Sequence, residues 1–221
     1  DIIDRDLDKK VQRTRERPIA SGKISVSEAF IYIAFLCLIS LLILFQFNSL
    51  TIILGISSMA LAFAYPFMKR ITYWPQLFLG LTFNWGIIMG WTSITNSISI
   101  EPIILYLSAI FWTLGYDTIY GLQDMHDDEI IGIKSTSIKF KNNVKVFVGT
   151  CYSLCVLCIL ILGLLMEINK YLLPLSAFFI VSLIYQIKIF KPNDPKSCHF
   201  SFKVNNLTGL LVFLFIFSFN F

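Results

Sequence analysis

Of the 221 residues, 56% are hydrophobic and 14% charged, at a mean hydropathy of +0.73, which excludes a water-soluble enzyme or binding module. The net charge of +4 comes from cations confined to short connections, so no basic surface is long enough to follow a nucleic-acid backbone. What remains is an all-α, polytopic bundle of transmembrane helices.

The chain opens DIIDRDLD. On a helix turning about 100° per residue, Asp1, Asp4 and Asp8 fall within about 60° of one another, while Asp6 points to the opposite side. There is no initiator Met and the first residue is already inside this acidic motif, so the chain reads as a fragment of something longer. The polar stretch that follows carries Lys9, Lys10, Arg13, Arg15, Arg17 and Lys23 and is broken by Pro18 and Gly22, as expected of a loop or a short interfacial helix. Its cations fit positive-inside anchoring. Arg13 and Arg17, spaced i,i+4 beside carboxylates, also suit an anion such as a diphosphate, and both roles can hold together.

Seven apolar runs follow, each near the ~20 residues that cross a bilayer: 29–47, 50–68, 76–95, 102–121, 144–166, 171–190 and 204–221. Lys and Arg recur in 1–28, 69–75, 122–145 and 187–203, whereas the intervening connections contain only Lys170. The positive-inside rule therefore puts both ends of the acidic chemistry on the cytoplasmic side. Pro66 and Pro75 are expected to bracket a cytoplasmic turn holding Lys69 and Arg70. Gly80, Gly86 and Gly90 permit close helix packing, and Asn84 between Phe83 and Trp85 either faces a cavity or serves packing. The five cysteines form no paired ligand motif and are expected to be small core residues, with neither a disulfide nor zinc. The final run, rich in Phe and Leu, is expected to face lipid only.

The segment from Gly115 to Phe140, GYDTIYGLQDMHDDEIIGIKSTSIKF, drops carboxylates onto the end of an otherwise apolar helix. Continued as helix, it brings Asp117, Asp124 and Asp128 within about 40° of one another, with Tyr120 roughly 60° to one side. Like charges at this spacing repel. They are either a solvated helix end or, paired with the first acidic face, half of a site for a hard divalent cation with oxygen ligands.

DxxDxxxD at Asp1, Asp4 and Asp8 followed by RTRERPIASG, then YPFMKRITYWPQ, then DTIYGLQDMHDD with GIKSTS, resemble the UbiA family of intramembrane prenyltransferases over almost the whole chain. The resemblance implies a single all-α domain over 1–221, about seven spans here against nine in the family. The residue before Asp1 in the family motif, the first helix and most of the second would be missing. It implies Mg2+ held by Asp1, Asp4, Asp8, Asp117, Asp124 and Asp128, and a polyprenyl diphosphate whose prenyl group goes to the ring of 4-hydroxybenzoate, an early membrane step of ubiquinone biosynthesis in a bacterial inner membrane. Asp4, Asp117, Tyr120 and Asp124 are the candidate catalytic residues. Arg13, Arg17 and Lys134 would bind diphosphate, and Lys69, Arg70 and Arg13 the acceptor carboxylate, with Asn84 a further candidate for the substrate cavity. Other acceptors within the family, such as naphthoates, haem or chlorophyllide, remain open. A cation transporter is the alternative class, but it predicts acids near mid-membrane, whereas nearly all of these lie at cytoplasmic helix ends.

Overall fold

In a computed structural model describing residues 1–166 and 173–217, the first acidic segment forms one helical turn, Arg5–Asp8 (α1), and continues as turns up to residue 24. Val26–Leu44 (α2) begins at a reciprocal cap: Ser25 Oγ accepts from the Glu28 N–H at 3.2 Å, and Glu28 accepts from the Ser25 N–H at 2.8 Å. Ser49–Ile71 (α3) is capped by Asn48, which accepts from the Thr51 N–H at 3.0 Å. Pro66 lies inside α3 without ending it. The expected turn from Pro66 to Pro75 is thus mostly helix, and Lys69 and Arg70 ride its last turn, where cations oppose the negative end of the helix dipole.

The third apolar run is two helices, Pro75–Phe83 (α4) and Gly86–Thr95 (α5), interrupted at Asn84 and Trp85. Then come Ile100–Gly121 (α6), Met125–Ile131 (α7), Thr136–Lys139 (α8), Val144–Leu165 (α9), Leu173–Ile189 (α10), Pro195–Lys203 (α11) and Asn205–Phe217 (α12). The second acidic segment is therefore not one helix. α6 stops at Gly121 and Asp124 heads the separate helix α7, so the helical wheel that grouped Asp117 with Asp124 and Asp128 does not apply across the break. The described residues are all-helical in their regular structure. Five segments are long and apolar enough to span a membrane, with α4 and α5 counted together; α10 and α12 are shorter. Over the described residues alone, two of the seven expected spans fall below that length; 171–172 and 218–221 of those runs lie outside the described residues, as does Lys170.

The core lies between α6 and α9, where Ile119, Val148, Tyr152, Cys155 and Ile159 are all buried. Lipid solvates apolar side chains as well as protein does, so close approach and interhelical hydrogen bonds must supply the specificity. Both are present. A Cβ on Gly115 would stand 2.4 Å from the ring of Tyr152, so only glycine lets α6 and α9 approach this closely. Ser108 Oγ donates to the Cys155 carbonyl at 3.0 Å. The Tyr152 hydroxyl donates to Gln186 Oε1 at 2.6 Å, and Gln186 Nε2 donates to Thr208 Oγ1 at 2.9 Å, tying α9, α10 and α12 together. Thr208 is fully buried and Asn205 accepts from Trp112 Nε1 at 3.0 Å, so the last helix has a packed face and is not purely lipid-facing. α2 is the opposite case: Phe30, Tyr32, Phe35, Leu36 and Leu42 are exposed around its circumference, the surface expected of a helix bathed in lipid.

Candidate active site

At the polar end of the bundle lies a cavity of about 830 Å3 lined from both acidic segments: Asp1 and Asp4 from the first, Asp117 and Asp128 from the second. Cations (Arg17, Lys69, Lys134) line it as well, and the walls from α2 and α3 are apolar, among them Phe30, Ile33 and Phe63. Charge at one end and hydrocarbon at the other is the shape needed for a ligand with an anionic head and an apolar tail.

Local structure explains how each acid reaches this space. Asp117 lies one turn before the end of α6, on the helix held most firmly by the core. Asp128 follows the break at 122–124. After it, Gly132 ends α7 with φ of 77°, a left-handed conformation that costs glycine nothing, and the chain turns back so that Ile133, Lys134 and Ser135 line the cavity. The Lys134 N–H donates to the Lys69 carbonyl at 2.8 Å and Lys134 Nζ to the Ile71 carbonyl at 3.1 Å, which docks this segment on the end of α3.

The expected metal ligands fall into two groups. Asp4 is held by Lys69 Nζ at 2.6 Å and by Arg70 Nη2 at 3.4 Å. Asp8 is buried, and both its oxygens lie 3.1 Å from Arg17 Nη1, which also reaches Asp1 at 3.4 Å. Asp124 is gripped by the Arg13 guanidinium through Nε at 2.8 Å and 2.9 Å and through Nη2, while Arg13 Nη1 donates to the Tyr120 hydroxyl at 2.6 Å. The hydrogen bond to Asp124 raises the already high proton affinity of Arg13, so this guanidinium is permanently charged. Asp117 and Asp128 make no ion pair among the described residues. Burial, and then the charge of Asp124, push the Asp128 carboxyl up to about 6.

Lys69 and Arg70 have no carboxylate neighbour in sequence, but folding brings Asp4 to both, and Arg70 also donates to the Ile3 carbonyl at 2.7 Å. Asn84 spends its amide hydrogens on the Gly80 carbonyl at 2.9 Å and Thr113 Oγ1 at 2.8 Å; it braces the break between α4 and α5 and is not among the cavity-lining residues. The lining residues that the sequence does not single out include Tyr65 and Gln76. Tyr65 gives no signal in its apolar run, whereas Gln76, an uncharged amide directly after Pro75 at the start of a span, could have been noticed.

Oxygen donors of both acidic segments share one space, a donor set that suits a hard divalent cation. As placed, however, no three His, Cys, Asp or Glu side chains among the described residues stand close enough together to hold a metal ion. The physical reason is visible in the ion pairs: Asp1, Asp4, Asp8 and Asp124 each lean toward a cation of the chain.

Comparison with known proteins gives the same direction. A profile described as "UbiA prenyltransferase family" matches residues 1–217. The mitochondrial 4-hydroxybenzoate polyprenyltransferase of Drosophila pseudoobscura pseudoobscura is 40% identical over 217 residues, 97% of this chain and 54% of that one. That of Bos taurus is 42% identical over 220 residues, 97% of this chain and 58% of that one. The 4-hydroxybenzoate geranyltransferase 2 of Lithospermum erythrorhizon is 41% identical over 219 residues, 96% of this chain and 70% of that one. The chain thus spans about half the length of the animal relatives it matches. These relatives come from animals and a plant, and the animal ones are named mitochondrial, so the expected bacterial inner membrane finds no support in them.

Among solved structures, an apo UbiA homolog from Aeropyrum pernix K1 superimposes with a TM-score of 0.80 at 21% identity, covering 96% of this chain and 81% of that one. At this identity the likeness speaks for the fold alone. The motif spacing, the helix bundle and the profile match over nearly the whole chain agree, and the chain belongs to the UbiA prenyltransferase family.

Proposed function

We propose that this chain transfers a polyprenyl group from polyprenyl diphosphate to the ring of 4-hydroxybenzoate, an early membrane step of ubiquinone biosynthesis, with Mg2+ as cofactor. The observation that carries the reading is the shared cavity: carboxylates of both acidic segments, three cations and an apolar wall meet in one space. The names of relatives near 40% identity support the acceptor and the prenyl class of donor. The side of the membrane rests on the distribution of Lys and Arg, which gathers at the same end as the acids.

Asp1 and Asp4, with Asp117 and Asp128, would hold the metal, and Asp8 and Asp124 would support it from behind Arg17 and Arg13. Bound there, Mg2+ would neutralise diphosphate oxygens and make the diphosphate a better leaving group. Arg17 and Lys134 add fixed positive charge around the same oxygens. The prenyl C–O bond breaks with its electron pair leaving on diphosphate. The ring carbon beside the phenolic hydroxyl then supplies the pair for the new C–C bond, and that carbon afterwards loses its proton. Phe30, Ile33 and Phe63 keep water from the allylic cation and follow the tail into lipid. Arg13, over the Tyr120 ring at 5.0 Å and bonded to its hydroxyl, fixes Tyr120 beside Asp124.

The test is to incubate membranes containing the protein with labelled prenyl diphosphate, Mg2+ and a panel of aromatic acids. C-prenylated 4-hydroxybenzoate is the expected product. Prenylation of a naphthoate but not of 4-hydroxybenzoate would replace the acceptor assignment.

A further inference from the structure

Three lysines lie around the junction of α8 and α9, and the fold treats them differently. Lys141 is neutralised by Glu129 at 2.7 Å. Lys139 and Lys145 make no ion pair among the described residues, and each ammonium lies over an aromatic ring instead: Lys139 over Trp74 at 4.5 Å, Lys145 over Phe190 at 5.3 Å. A ring face holds a cation in place without neutralising it, and an ammonium held this way still has N–H donors to give. Along α9, Lys145 points to Phe190 and Phe147 packs on Trp74, faces about 160° apart, so the two lysines flank a single helix, about 10–12 Å across with its side chains. Val146 occupies the outward face between them. Thr150, Leu154, Leu157 and Ile161 continue that face at helical spacing, all exposed, and the Thr150 hydroxyl is spent on the Val146 carbonyl at 3.0 Å. The opposite face of α9 is the one buried in the core. An apolar strip thus descends from between two cations that carry their full charge.

We propose that this corner of the bundle holds one anionic phospholipid, its headgroup at the top of α9 flanked by Lys139 and Lys145 and an acyl chain lying on the strip from Val146 to Ile161. Charge complementarity selects the headgroup. A zwitterionic lipid brings its own ammonium, which both lysines repel, whereas an anionic one meets them with phosphate alone. A soluble phosphate would gain the charge but leave the strip uncovered, and an acidic protein segment would have to enter hydrocarbon to cover it. None of these residues lines the cavity, so the proposal does not depend on the reaction assigned above.

In the test, the full chain in detergent is titrated with phosphatidylglycerol or with phosphatidylcholine of the same acyl chains, and bound lipid is counted by native mass spectrometry. The wild-type protein is expected to take up one phosphatidylglycerol about tenfold or more tightly than one phosphatidylcholine. The double variant K139Q/K145Q should lose that preference. K23Q/K141Q, which removes the same charge at the same end of the bundle, should keep it. Equal affinities of the wild-type protein for the two lipids overturn the proposal. So does a loss in K23Q/K141Q as large as that in K139Q/K145Q, because the lysines of that end would then act as one diffuse field. Inorganic phosphate should leave bound phosphatidylglycerol in place; displacement by phosphate alone would reveal an anion site with no use for the strip, and would overturn the proposal as well. Should the double variant accumulate poorly, K139Q and K145Q are measured singly: each should lower the preference about threefold or more, and no change in either sinks the assignment.

Discussion

The two acidic segments meet in one cavity but are held there by different forces. The first is built from turns, and its carboxylates are secured by charge: Asp1 and Asp8 by Arg17, Asp4 by Lys69 and Arg70. Of Asp117, Asp124 and Asp128 in the second segment, only Asp124 has such a partner among the described residues. Asp117 is positioned instead by α6, whose neighbouring turn is clamped on Tyr152 and, through it, on Gln186 and Thr208. One segment is thus placed by ion pairs that a metal and a diphosphate can exchange for their own, the other by packing that does not change when a ligand binds. The difference teaches where rigidity is needed: Asp117, which has no counter-charge among the described residues, is mounted on the core.

The largest expected effect is on turnover at the unpaired acid. In membranes carrying the protein, Asp117→Asn should cost about three orders of magnitude in prenyl transfer, while the detergent-solubilised protein keeps its unfolding temperature. A matching loss of Tm would mean that Asp117 is a structural group and would erase the contrast with Asp8. Gly115→Ala attacks the packing that holds Asp117. With the Tyr152 ring 2.4 Å from the new methyl, α6 and α9 must separate, at about 1–3 kcal/mol of stability. Thermal unfolding measures that loss, and an unshifted Tm would show that α6 is not clamped there.

At the first segment the order reverses. Asp8→Asn leaves Arg17 with a weaker partner and should lower stability by about 1–2 kcal/mol, more in low salt than in high salt because the guanidinium is partly solvated. No salt dependence would argue against charge as the holding force. The smallest effect is a pH slope. Asp128, outside the membrane spans, titrates near 6 in the fold against an ordinary value of 3.8. The folded chain therefore binds this proton more tightly than the unfolded chain does. The stabilisation is fully present below about 3.8, declines as pH rises, and is gone above about 6. Metal-free unfolding curves between pH 4 and 7 should show this decline, and Asp128→Asn should flatten it.

Much of the fold was legible because membrane helices announce themselves by length and hydropathy, and because the cations cluster at one end of the bundle. The acidic motifs identified the family by their spacing. Local pattern failed at two places. The wheel through Asp117, Asp124 and Asp128 runs across the break at 122–124, and Pro66, expected to open a cytoplasmic turn, is absorbed within α3. Asn84 shows a third kind of failure, since a polar residue in an apolar run looks the same whether it faces a cavity or bonds to a neighbouring helix.

By itself, then, the order of residues determined the class of protein, the helices, the end of the bundle where the charges lie and the chemistry available there. These follow from local properties: hydropathy, helix periodicity and the cost of moving charge into lipid. Only the tertiary structure decided which acid meets which cation, that Lys69 and Arg70 turn to Asp4, that Asp117 and Asp128 stand without an ion pair among the described residues, and that Gln76 comes to line the cavity. Asp4 and Arg70 are 66 positions apart and Arg13 and Asp124 are 111 apart, and no local rule weighs one long-range partner against another. Helix packing does so, because the close approach of α4 to α6 and of α6 to α9 leaves only certain side chains facing the same space.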